Sequence, residues 1–274
     1  SKSKIRPGVV EDAGGQEVTD ESKIADEFNK YFSTVFTNES DESPTPVSIF
    51  TGEEEDKLTS LSIDEAMVHG KLMKLREDKS TGVDNLSPRL LVGVSEAIVK
   101  PITIIFNKTL DTSRVPDDWR RANVTPIYKK GSRRKPENYR PVSLTSQICK
   151  LFESIVKEAI VDHLEKFRLL FDSQHGFRKG KSCLSNLLTF LEKVTEEVDH
   201  GGAVDAIFLD FAKAFDKVPH RRLMAKLKSH GIDGKVANWI GSWLSGREQR
   251  VWLRGVGSGW RVVTSGVPLG SVLG

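Results

Sequence analysis

Apolar residues first recur at helical spacing at Ile24, Phe28, Tyr31, Phe32 and Val35, which predicts a helix with one apolar face. Residues 37–56 (TNESDESPTPVSIFTGEEED) break that pattern with Ser, Thr, Pro and acids, so a linker or surface loop is expected. A second helix is expected from Ser62, with Glu65 three residues on as a capping box and Ala66, Met67, Leu72 and Leu75 following. KSTGVDNLSPRLL (79–91) supplies turn residues and a restart at Pro88, and 98–110 is apolar and helical. In VPDDW (115–119), Asp117 and Asp118 follow Pro116, where first-turn acids are favoured; the pair reads as a helix start and not as metal ligands.

Residues 122–144 read as strand, basic turn, strand, with Val124, Ile127 and Tyr128 before the turn and Val142 and Leu144 after it. A long amphipathic helix is expected over 148–167. The basic, glycine-punctuated loop HGFRKGKS (175–182) leads into another helix through 197. AVDAIFL (203–209) is a short apolar run of β type that predicts a strand ending at Asp210. Helices over about 217–230 and 235–245 and a hairpin within 250–270, carrying Val251, Leu253, Val262 and Val263, complete the pattern. There is no internal repeat. The expected class is α+β: an acidic, helical N-terminal region over 1–78 with its loop at 37–56, then a domain over 79–274 with helices and an antiparallel sheet.

The 274 residues are 38% hydrophobic, enough to bury a core, and the net charge of +3 conceals an asymmetry. Glu53, Glu54, Glu55 and Asp56 face only Lys57, whereas Arg120, Arg121, Lys129, Lys130, Arg133, Arg134 and Lys135 meet few acids. A basic stretch on a near-neutral chain suits a polyanion on one face, or equally a solvated loop. The two cysteines, Cys149 and Cys183, lie far apart, which argues against a disulfide framework and a cysteine zinc site. The six histidines form no ligand-spaced pair, no apolar run is long enough for a membrane span, and no secretory signal is visible. A reducing compartment, nucleus or cytoplasm, is therefore expected. The chain opens on Ser1 and closes in a glycine-rich turn, and both ends look cut.

The chemistry-bearing motif is FLDFAKAFDKVPH (208–220): an apolar run ends in Asp210, and Asp216 follows six residues later. Enzymes that transfer nucleotidyl groups hold two divalent ions about 4 Å apart on carboxylate oxygens. A carboxylate at the end of a buried strand is rigid enough for that. An N-cap for a helix starting near Ala212 is the other reading of Asp210, and the residues alone leave both open.

From about Ile5 onward the chain resembles the reverse transcriptase of non-LTR (LINE-type) retrotransposons, closest to the jockey and chicken-repeat-like groups. KSTGVDNLSPRLL (79–91) is similar to the block that opens the fingers. TPIYKKGSRRKPENYRPVSLTS (125–146), QHGFRKGKSC (174–183), FLDFAKAFDKVPH (208–220) and SGVPLGSVLG (265–274) resemble the next four blocks, in family order.

The resemblance implies a right-hand polymerase: fingers, a partial palm and no thumb. It implies RNA-templated extension of a DNA primer with deoxynucleoside triphosphates and Mg2+. Asp210 would be the catalytic aspartate and metal ligand, beside the backbone of Phe211. Phe215 would sit under the incoming sugar, or be plain core. Lys129, Lys130 and Arg140 would fold over the triphosphate, and Gly270 would stand near the nucleotide. Arg178 and Lys181 would hold template backbone, and Asp216 would be structural. The family reads GVPQGS where this chain has Leu269, and its aromatic–x–Asp–Asp strand has no counterpart here. Two readings follow: a piece of a longer active polymerase, or a decayed remnant that binds nucleic acid without catalysis. On either, no polymerase activity is expected of this chain alone.

Overall fold

A computed structural model describes residues 8–39 and 46–274. The start of the N-terminal region, 1–7, and residues 40–45 of the expected loop lie outside the described residues. A two-stranded ribbon, β1 (Val10–Glu11) and β2 (Glu17–Val18), leads into α1 (Glu21–Thr34). Asp20 opens α1 by accepting from the Lys23 amide, and Ile24, Ala25, Phe28 and Phe32 form its buried face, as their spacing predicts. The next helix, α2 (Glu65–Leu72), is capped by Asp64, which accepts from Met67 N at 2.7 Å. The box expected from Ser62 and Glu65 does not form, because a carboxylate two residues on meets the helix's positive end directly.

Then come α3 (Pro88–Gly93), capped by Ser87, α4 (Ser95–Thr112) and α5 (Asp117–Arg120), the last being the helix start expected of VPDDW. Strands β3 (Arg121–Tyr128) and β4 (Tyr139–Leu144) flank the basic turn as an antiparallel pair. They are followed by α6 (Gln147–Lys166), α7 (Cys183–Asp199), α8 (His220–Ser229) and α9 (Gly234–Leu244). Strands β5 (Arg247–Leu253), β6 (Val256–Gly257) and β7 (Arg261–Val263) end the sequence of elements.

The main sheet runs β4-β3-β5-β6, with β7 also on β5. It is mixed and not purely antiparallel as expected, because β3 pairs parallel with β5, from Arg121 opposite Glu248 to Val124 opposite Val251. The chain travels from β3 to β5 by way of β4 and four helices, a crossover long enough to return a strand in the same direction.

Two cores hold the fold. The helical core centres on Phe152, whose ring lies 5.0 Å from Phe106 and 4.6 Å from Trp239. The second lies between α1 and one face of the sheet, where Phe28 and Phe32 meet Val124, Tyr139, Val251 and Leu253. Buried Asn29 of α1 donates to Ser258 Oγ and Gly259 O and accepts from Gln249 Nε2, so the N-terminal helix is bonded into the sheet.

The apolar run at 203–209 forms no strand. Its residues have no regular secondary structure and no ladder partner, with Ile207 84%, Phe208 82% and Leu209 92% exposed. A strand exists only beside a partner that takes its N–H and C=O groups, and no described strand runs alongside this one. Asp210 is not a helix cap either: 212–217 are turns, and α8 starts only at His220. Amphipathic α7 likewise keeps Leu184, Leu187, Leu188 and Leu191 exposed. Cys149 is a buried and Cys183 an exposed free thiol, and no described helix is long and apolar enough to cross a membrane.

Candidate active site

The β3–β4 turn is built to hold cations out. Lys129 N donates to Asn138 O at 2.8 Å, one step beyond the paired Tyr128 and Tyr139. The Tyr128 hydroxyl donates to Gly131 O and the Tyr139 hydroxyl to Arg133 O, at 2.6 and 2.7 Å. Arg133 lies 4.3 Å above the Tyr128 ring. Gly131 has φ +84°, and a Cβ there would come within 2.8 Å of the Asn138 side chain. This bracing leaves Lys129 and Lys130 exposed at the tip and Arg140 exposed on edge strand β4.

Across from the turn lies the 210–216 segment, and the two enclose a cleft of about 580 Å3. The structure brings Lys129, Lys130, Arg140, Asp210, Phe211 and Phe215 to its walls, with Leu269 and Asp216. Asp216 N donates to Lys213 O at 3.0 Å, a backbone bond of the 212–217 turn. Burial pushes the Asp216 carboxyl above its ordinary value, and the Lys213 charge opposes that. Lys213 Nζ stands 5.2 Å over the ring of Tyr31, which α1 projects to this side. The Tyr31 phenol is raised by burial, then by Glu137 and Asp216.

Segment 265–271 is laced onto the 210–218 segment. Ser265 Oγ donates to Asp216 O and accepts Thr37 N, Gly266 N donates to Val218 O, and Val267 N donates to Phe215 O. His220 Nε2 donates to Gly266 O at 2.7 Å. Further along, Ser143 N of β4 donates to Leu269 O at 2.7 Å. Gly270 has φ +117°, and a Cβ on it would come within 2.7 Å of Ser143 O, so this glycine permits the close approach of two backbones.

Arg178 and Lys181 are not among the residues that line the cleft. Arg178, its side chain 12% exposed, pairs with Glu165 at 3.1 Å and donates to Phe171 O. Lys181 Nζ donates to Asp172 O. Both brace their loop near the end of α6. Sequence reasoning missed Tyr31, Thr37 and Ser265, which reach the site only through contacts between distant segments.

For a divalent ion, the Asp210 carboxylate and the Phe211 carbonyl are the hard-oxygen donors of the 210–211 stretch. Among the described residues, no three His, Cys, Asp or Glu side chains converge. The donor set therefore does not fit a two-ion centre.

The family model described as "Reverse transcriptase (RNA-dependent DNA polymerase)" matches residues 127–274. The chain is similar to the probable RNA-directed DNA polymerase from transposon BS of Drosophila melanogaster, 32% identical over 197 residues, 72% of this chain and 22% of that protein. It is 30% identical to the probable RNA-directed DNA polymerase from transposon X-element of the same organism, over 74% of this chain and 22% of that protein. The RNA-directed DNA polymerase from mobile element jockey, also of Drosophila melanogaster, is 27% identical over 76% of this chain and 23% of its own length. The chain thus spans less than a quarter of these relatives.

Proposed function

This chain belongs to the reverse transcriptase (RNA-dependent DNA polymerase) family, and from that premise we propose that its cleft receives a deoxynucleoside triphosphate while its basic surface holds an RNA template and a DNA primer. The observation that carries the proposal is the set of three cations, Lys129, Lys130 and Arg140, on a cleft whose walls also bear Asp210 and Phe215. A triphosphate needs that mixture: lysines are mobile point charges, and arginine offers a planar fork for phosphate oxygens. Phe215 then sits under the sugar, where its ring opposes a ribose 2′-OH. Gly270 lets the 269–271 backbone close one side of the site, and Asp210 with the Phe211 carbonyl presents oxygen donors toward the phosphates. Leu269 adds an apolar contact where the family's glutamine would donate.

Magnesium, when bound in such polymerases, stabilises the attacking and leaving oxygens. The described residues do not fit two ions, so the function proposed for this chain is binding and orientation rather than turnover. Leu269 favours the second reading, a non-catalytic nucleic-acid-binding remnant.

For the nucleic acid, the sheet face turned away from α1 carries Arg250 between Trp252 and Trp260, 4.5 and 4.6 Å from their centroids, and Arg121 lies 5.3 Å from Trp260. Cations interleaved with ring faces suit a single strand. Lys181 adds a cation beside its own loop, and Arg178, paired with Glu165, braces that loop. Titration of a labelled RNA template annealed to a DNA primer, at two salt concentrations, tests the proposal. Affinity falls steeply with salt as counterions are released; affinity indifferent to salt contradicts it.

A further inference from the structure

The buried face of α6 carries one carboxylate among apolar neighbours. Glu153 has no exposed surface. Its Oε2 accepts the backbone amides of Val272 at 2.6 Å and Leu273 at 3.2 Å. Its Oε1 accepts the thiol of Cys149, one turn earlier, at 3.2 Å. Burial, and then the Glu153 charge, push that thiol well above its ordinary value, which keeps it a donor. Arg247, only 2% exposed, supplies the opposing cation and lies 5.1 Å from the Trp243 ring centroid. A carboxylate is costly to bury unless its oxygens are hydrogen-bonded, and both oxygens of Glu153 are.

What it holds is a segment with no helix or strand of its own. Residues 265–267 are tied to the 210–218 segment, and Leu269 O to Ser143 of β4. Past Leu269, the other hydrogen bonds donated by backbone amides are local: Ser271 N to Pro268 O and Gly274 N to Ser271 Oγ, both at 3.0 Å. Glu153 links this far half to the helical core.

We propose that Glu153 is a positioning residue: by capturing the Val272 and Leu273 amides it fixes the 269–273 backbone, and with it the placement of Leu269 at the cleft. The consequence for nucleotide binding rests on the function proposed above; the consequence for the segment does not.

Amide hydrogen exchange, resolved by peptide, tests this on the whole chain. In Glu153→Gln, exchange over 268–273 rises about tenfold, the scale of one lost charge-assisted bond, while α4 and α9 keep their protection. Val272→Pro removes a donor from the segment and leaves the core untouched, and it produces the same loosening. The double variant adds little to either single one, because both cut the same link. In a dATP titration run well below the unfolding midpoint, both variants bind about tenfold more weakly, with single-stranded RNA affinity unchanged.

Unchanged exchange over 268–273 in both variants overturns the proposal. So does loosening in Glu153→Gln that spreads through α4 and α9 while Val272→Pro is silent, since that describes a plain core residue. If Glu153→Gln does not fold, Val272→Pro decides. If the wild-type chain binds no dATP, the reading of the cleft fails, and the exchange result still decides the role of Glu153.

Discussion

Ser265 donates its hydroxyl proton to the Asp216 carbonyl at 2.7 Å and accepts the Thr37 amide at the same distance. Three distant stretches of chain meet on one fully buried residue. Ser265→Ala leaves a donor and an acceptor without their partner, and a buried unmet group costs about 1–3 kcal/mol. Urea unfolding is expected to show a loss of that size with an unchanged slope. A midpoint equal to wild type would mean that the junction is not holding the segments together.

Much of the fold could be read locally. The faces of α1, α4 and α6 follow from 3.6-residue periodicity, and β3 and β4 from apolar positions on either side of a basic turn. Features that depend on a distant partner could not. The 203–209 run has the composition of a strand but no neighbour to bond. The parallel pairing of 121–124 with 248–251 leaves no trace in either segment's periodicity. At the cleft, Lys129, Lys130, Arg140, Asp210 and Phe215 were legible because they sit in ordered motif blocks. Thr37 and Ser265 were not, because ordinary residues acquire that role only by contact. Glu153 left one signal, a lone acid four residues after Cys149 on the apolar face of α6.

Asp216 should weaken the fold as the pH rises. Burial raises its carboxyl in the folded chain, so the folded state holds the proton more tightly than the unfolded state does. The associated stability is complete below the ordinary aspartate value of about 3.9 and is lost as pH climbs through the raised value. Asp216→Asn removes the penalty: it should be more stable than wild type at neutral pH, with the gap closing in acid. Urea midpoints at both conditions measure this, and a gap that widens in acid reverses the sign and refutes the argument.

Phe215 bears on sugar choice. If its ring lies under the incoming sugar, wild type favours dATP over ATP. Phe215→Ala then reduces that preference on the order of tenfold, the usual worth of one steric group in a pocket. Competition of the two nucleotides for the chain gives the ratio. A ratio unaltered by the substitution would contradict a place for Phe215 under the sugar.

The central claim is that the cleft between the β3–β4 turn and the 210–216 segment is a triphosphate site. Equilibrium titration of fluorescent dATP against wild type, Lys129→Ala, Arg140→Ala and Lys193→Ala tests it most directly. Lys193 serves as the control because it is exposed on α7, away from the cleft. Each cleft substitution is expected to weaken binding by about tenfold or more, since a hydrogen bond to a charged group contributes roughly 1.5–3 kcal/mol, while Lys193→Ala binds as wild type does. Equal affinity across all four proteins would contradict the assignment.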